Sequence, residues 1–166
     1  MSLNPEFKIT RVFNAPCQKV WDAWTQKNHL DKWFGPKGVP IVTSTMNFKI
    51  GGAYHYGMKL PVGGIMWGRW VFKEITPTSR IVWDHGFTDE TGTQCTRHPF
   101  APTWPLQMVS TLTLQDQGNQ TAVTLTMVCE NASEVETATF SAGLPSMTQG
   151  FGGTFDQLTE FLKQPQ

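Results

Sequence analysis

Five strand-like positions carry side chains able to do acid–base or electrostatic work: His55, Arg69, Glu74, Asp84 and His85. Brought together in a pocket, such groups would supply a general acid and base, or donors aimed at a developing oxyanion. A buried charge must be paired or must bind something. Alternation along one strand places Arg69 on the face of Trp67 and Val71, and Glu74 on the face of Trp70 and Phe72. The sequence leaves open which face is concave. The competing reading for either charge is a cross-strand ion pair or an exposed position, which stabilises little. Asp84 and His85 are chain neighbours on a strand, so they point to opposite faces and form no simple dyad. Cys95 and His98 have the spacing of half a metal site. Two further ligands in a recognisable arrangement are absent, which favours a chance pairing of loop residues. Gly51-Gly52 and Gly63-Gly64 lack the helix that must follow a phosphate-binding loop, and no nucleophile elbow appears. No catalytic residue, metal or cofactor is expected from these patterns.

The aromatic residues give a different signal. Trp21, Trp24, Trp33, Tyr54, Trp67, Trp70, Trp83, Phe151 and Phe155 are spread through the chain, with Met147 one helical turn before Phe151. Taken singly, each is ordinary core. Taken together, they suit the walls of an apolar cleft with a few placed polar groups.

The elements that would position these residues follow an order. Phe7, Ile9 and Phe13 share one face of a first strand. Asn14-Ala15-Pro16 reads as a helix start with Asn14 or Ala15 as cap and Pro16 in the first turn. Cys17, Val20, Trp21 and Trp24 then form one helical stripe. A second short helix is expected from near Asn28, with Asp31 completing a weak capping box, and ends at Gly35-Pro36. From Val39 the period becomes two, with Val42, Met46, Phe48 and Ile50 on one face. Strands are read at Ala53 to Met58, Ile65 to Ile75, Arg80 to Asp84, Leu106 to Gln115 and Ala122 to Val128. Residues 86–105, with three prolines, read as a long connection forming a rim or lid, with room for a short strand inside. Ser133 and Glu136 cap a short helical piece, and Pro145 is read as the start of a separate main helix. Met147, Phe151, Phe155, Leu158 and Leu162 form its apolar stripe. Gly150, Gly152 and Gly153 within it suggest close sheet contact, a kink, or space kept open beside the helix.

Bulk properties narrow the classes. The 166 residues suit one domain, assigned as 1–166, with residues 1–5 read as disordered or an expression scar. Thirteen basic and thirteen acidic residues balance, so no basic block exists to neutralise phosphates, and nucleic acid is not expected as a partner. No apolar run is long enough to insert in a membrane, and no signal peptide is apparent. Three scattered cysteines fit a reducing cytoplasm better than a disulfide framework. A neutral surface would not oppose a homodimer.

With the elements in place, the stretches Arg11-Val12-Phe13-Asn14-Ala15-Pro16, Val20-Trp21-Asp22-Ala23-Trp24-Thr25 and Trp33-Phe34-Gly35-Pro36 carry a resemblance. Gly51-Gly52-Ala53-Tyr54, Trp67-Gly68-Arg69, Trp104-Pro105-Leu106, Ser146-Met147, Gly150-Phe151 and Phe155-Asp156-Gln157-Leu158 continue it in order. The chain resembles the START-like (SRPBCC) superfamily, and within it the branch named for the activator of heat-shock protein ATPase (AHSA-type). The resemblance implies an α+β helix-grip fold: a curved antiparallel sheet of six or seven strands, two short helices and one long C-terminal helix. One fold hosting many functions is the normal case. The function expected is binding of a small hydrophobic molecule, a lipid included, between sheet and C-terminal helix. The ligand-facing residues expected are Trp21, Trp33, Tyr54, Trp67, Arg69, Trp70, Trp83, His85, Met147, Phe151 and Phe155. Two alternatives are a protein-interaction or chaperone-regulating module, using Phe100, Trp104 and loop 86–105, and a cyclase or lyase-type enzyme acting on a hydrophobic substrate.

Overall fold

The computed structural model describes residues 4–165; the first three residues of the segment read as disordered or an expression scar lie outside the described residues. Strand β1 (Glu6–Phe13) leads into helices α1 (Cys17–Thr25) and α2 (Lys27–Trp33). Strands β2 (Ile41–Met46), β3 (Ala53–Lys59), β4 (Ile65–Thr76), β5 (Arg80–Thr88), β6 (Cys95–Thr96), β7 (Met108–Asp116) and β8 (Thr121–Cys129) follow. Helix α3 (Glu134–Leu162) closes the chain. The strands form one curved antiparallel sheet in the order β1-β8-β7-β5-β4-β3-β2, with β6 paired to the far end of β5. Among the described residues no helix is long and apolar enough to cross a membrane.

The period-two pattern sets the concave face. Phe7 and Phe13, Val123, Leu125 and Met127, Leu112, Trp83, Trp70 and Tyr54 all point inward and are buried. Two bulges shift the phase. One lies between Ile41 and Thr43, so Ile41, Ser44 and Met46 face inward while Val42, expected inside, is 51% exposed. The other lies between Phe72 and Glu74. It places Glu74 opposite Val82 rather than on the face of Trp70, and Glu74 pairs with Arg80 at 3.1 Å. An extra residue in one strand reverses every side chain beyond it.

The helices seal the concave side. Helix α1 buries Val20, Trp21, Ala23 and Trp24, with Pro16 as its N-cap rather than in its first turn. Helix α2 starts at Lys27 and has no side-chain cap. Its Asp31 instead accepts from Ser44 Oγ at 2.7 Å and Tyr54 Oη at 2.8 Å, tying the helix to β2 and β3. Helix α3 begins with the Ser133–Glu136 capping box and runs unbroken through Pro145. This corrects the expectation of two separate helical pieces. Proline forfeits one intrahelical bond, and the stripe Phe140, Met147, Phe151, Phe155 and Leu158 against the sheet outweighs that loss. Thr154 Oγ1 and Gln157 Nε2 both donate to the Gly35 carbonyl, at 2.9 and 2.7 Å, which fixes α3 against the end of α2.

Candidate functional site

The interior divides into a solid part and an open part. In the solid part, Trp24 packs against Trp33 at 4.7 Å between ring centroids and against Phe155 at 6.2 Å. Trp70 and Trp83 stack at 4.3 Å. Trp21 meets Phe48, and Tyr54 meets Trp70. Five of the residues expected to line a ligand site, Trp33, Tyr54, Trp70, Trp83 and Phe155, are at most 1% exposed, and Trp21 is 7% exposed. These aromatics fill the centre. The C-terminal half of α3 adds Phe155, Leu158, Phe161 and Leu162 to this buried cluster, with bulky residues on both sides.

The open part lies under the middle of α3, from Met147 to Thr154, where Gly150 removes a side chain from the helix. A side chain built at Gly150 would meet nothing within 4 Å. Of the three readings of the helical glycines, open space beside the helix is the one Gly150 fulfils. Here an apolar cleft has two adjoining lobes. One, of about 190 Å³, is bounded by Phe34, Tyr56, Met58, Met66, Gly150 and Thr154. The other, of about 220 Å³, is bounded by His98, Ala101, Trp104, Met108 and Met127. His85, Phe87, Met147 and Phe151 border both. A larger depression of about 490 Å³, lined by residues such as Lys32, Lys37, Asp156 and Glu160, is a polar groove on the outer surface of α2 and α3. The cleft between sheet and helix has the composition of a small-molecule site; the groove does not.

One polar pair stands in the cleft. Tyr56 Oη lies 3.2 Å from His85 Nε2. Gly68 makes the pair possible: a Cβ there would lie 2.6 Å from the Tyr56 hydroxyl and 2.7 Å from its ring. The phenol therefore crosses β4 over a missing side chain and reaches β5. His85 Nδ1 is shielded from solvent and has no hydrogen-bond partner among the described residues. Burial pushes the imidazole down to about 4 and raises the Tyr56 phenol above its ordinary range, so both are neutral at pH 7.

Trp67 and Arg69 do not reach this cleft. They lie on the convex face, because the residues that pair inward on β4 are Gly68, Trp70 and Phe72. There Trp67 stacks on His55 at 5.1 Å, and Arg69 donates to the Gly92 carbonyl at 3.0 Å. Asp84 is also convex, 3.5 Å from Lys73. Burial, followed by the neighbouring Glu130, raises its carboxyl above the usual range. The arrangement that would have favoured an enzyme, with Arg69, Glu74 and His85 inward together, is absent; of the three only His85 faces the cleft. Cys95 and His98 are separated as well, Cys95 facing Gly86 and Arg69 on the convex side and His98 lining the cleft.

Residues 86–105 are more ordered than the sequence suggests. Strand β5 continues through Thr88, and Cys95–Thr96 pairs back onto it. Arg97 is ion-paired with Glu136, and Thr139 Oγ1 donates to Thr103 Oγ1 at 2.9 Å. Trp104 packs against Phe140 at 5.5 Å, leaving Phe100, 68% exposed, as the one large apolar side chain this segment presents outward. The segment supplies His98, Ala101 and Trp104 to the wall of the second lobe. Of the residues expected to face a ligand, Met147, Phe151 and His85 border the cleft. Tyr56, Phe34, Phe87 and the methionines of the strands were not singled out, although alternation from Tyr54 and Trp70 would have placed Tyr56 and Met58 on the same face.

Comparison with known proteins agrees with this architecture. A solution structure of a protein from Arthrobacter aurescens superposes with a TM-score of 0.79 at 26% identity, covering 96% of this chain and 87% of that one. A crystal structure of a Nitrosomonas europaea protein gives 0.75 at 23% identity, covering 99% and 97%. One from Mycobacterium smegmatis gives 0.76 at 20% identity, covering 97% and 92%. No curated protein matches the sequence. The family model described as activator of Hsp90 ATPase homolog 1-like protein matches residues 14–163. Fold and family together support a ligand-binding or regulatory module as the general class. With nearly the whole chain matched, the protein belongs to the activator of Hsp90 ATPase homolog 1-like family.

Proposed function

We propose that the domain binds a small, mostly apolar molecule in the two-lobed cleft between the concave sheet and the middle of α3, in a cytoplasmic setting. The observation that carries this reading is an apolar cleft holding one polar pair, Tyr56 and His85, beside a packed aromatic core. Burial of Met, Phe and Trp surface supplies affinity at about 25 cal/mol per Å². The single polar pair supplies orientation. Each lobe is small, about 190 and 220 Å³, and only together do they reach the lower end of ligand sites, which favours a compact guest over a long acyl chain.

The test is calorimetric titration with a panel of compact apolar compounds at several temperatures. Binding with a negative heat-capacity change is expected, the mark of apolar burial. A panel that binds nowhere, or binds equally after the cleft is filled, would remove the proposal. The enzyme reading retains only Tyr56 and His85 as cleft acid–base groups, with His98 beside them, and no observation raises it above binding.

A further inference from the structure

The lining of the cleft has two properties that bear on what enters it. First, among the described residues that border either lobe there is no lysine, arginine, aspartate or glutamate. The neighbouring cations are committed elsewhere: Arg97 to Glu136, Arg11 to Asp156 at 2.7 Å, Lys73 to Asp84, and Arg69 on the far side of the sheet. The two histidines do not replace them. His98 Nδ1 accepts from the Phe100 backbone N–H at 3.0 Å, so that nitrogen carries no proton. His85 is held by the Tyr56 hydroxyl and, among the described residues, has no carboxylate partner that would favour its charged form. An anion entering the cleft would lose its water and meet no counter-charge.

Second, five of the seven methionines lie here: Met58, Met66, Met108, Met127 and Met147. Thioethers contact ring edges favourably and adjust to a flat guest. An apolar cavity of about 150 Å³ is known to accept benzene; each lobe, at about 190 and 220 Å³, is somewhat larger.

Resting on the binding function proposed above, we infer that the cleft selects an uncharged aromatic molecule and rejects fatty acids and other anionic lipids. A ring lies among the thioethers, and one polar substituent faces the Tyr56–His85 pair. The test compares three probes on protein labelled at its methionine methyl groups. They are 2-naphthamide, its anionic counterpart 2-naphthoate, and decanoate, all at pH 7.5 and followed by NMR. The amide is expected to shift the five cleft methionines through its ring current, to leave Met46 unmoved, and to bind at least tenfold more tightly than either anion. Either anion binding as tightly as the amide would overturn the inference while leaving the binding function standing. Silence from all three probes would overturn both.

Discussion

Filling the cleft from the helix side separates a real site from an incidental gap. Gly150 sits inside α3 and borders the first lobe, and a side chain there meets nothing within 4 Å. Its backbone is not in the left-handed region, so a larger residue is accepted without strain. Glycine in a helix interior costs roughly 0.5–1 kcal/mol relative to alanine, and leucine is nearly as good a helix former. Gly150→Leu should therefore stabilise the fold by about 1 kcal/mol, with any apolar burial inside the lobe adding to that. For a domain of this size, 1 kcal/mol moves Tm by about 2–4 °C. The same side chain takes up much of a lobe of about 190 Å³, so affinity for a compact guest should fall at least tenfold, about 1.4 kcal/mol. Gly152→Ala is the control. It also meets nothing within 4 Å, does not border the cleft, and should gain stability without losing binding. Thermal denaturation and ligand titration on both variants give the answer. A Gly150→Leu protein that is folded, stabilised and still binds normally would refute the assignment of the site; one that is destabilised would refute the claim that the space is open.

Three further outcomes follow from the geometry. Gly68→Ala places a methyl group within 3 Å of the Tyr56 ring and hydroxyl and should cost about 1–3 kcal/mol in urea denaturation; an unchanged midpoint would show that Tyr56 does not cross that position. Asp31→Ala strands the buried Tyr54 hydroxyl and frees Ser44, a loss of about 1–3 kcal/mol, whereas Lys27→Ala, which removes only an exposed ion pair to the same carboxylate, should change stability by less than about 0.5 kcal/mol. His85 should titrate near 4 in histidine NMR; because its folded value lies below the ordinary 6.5, the unfolded chain takes up protons first, so its contribution to stability is complete above about pH 6.5 and lost as pH falls toward 4. A midpoint near 6.5 would show the ring to be solvated.

The sequence by itself determined most of the order of elements and which residues share a face of a strand or helix, through local periodicity of two along strands and 3.6 along helices; the helix-grip architecture was implied by the family resemblance. The stripe from Met147 to Leu162 and the alternation through Val123, Leu125 and Met127 both appear in the structure as read. Periodicity failed where one residue changed the phase. The bulges at β2 and β4 turned Val42 and Glu74 outward, and no local pattern announces a bulge. Pro145 reads as a boundary because its cost is local, while the packing that overrides it is contributed by distant strands. Only the tertiary structure decided which face of the sheet was concave, and with it that Trp67 and Arg69 lie outside while Tyr56 meets His85 across Gly68. Only it decided that Trp24, Trp33, Trp70 and Trp83 fill the centre rather than line the cleft. Whether a large side chain fills or borders a space depends on the bulk opposite it. For Trp70 the rings of Trp83 and Tyr54 lie alongside; for Met147 the neighbouring turn of helix ends in a glycine.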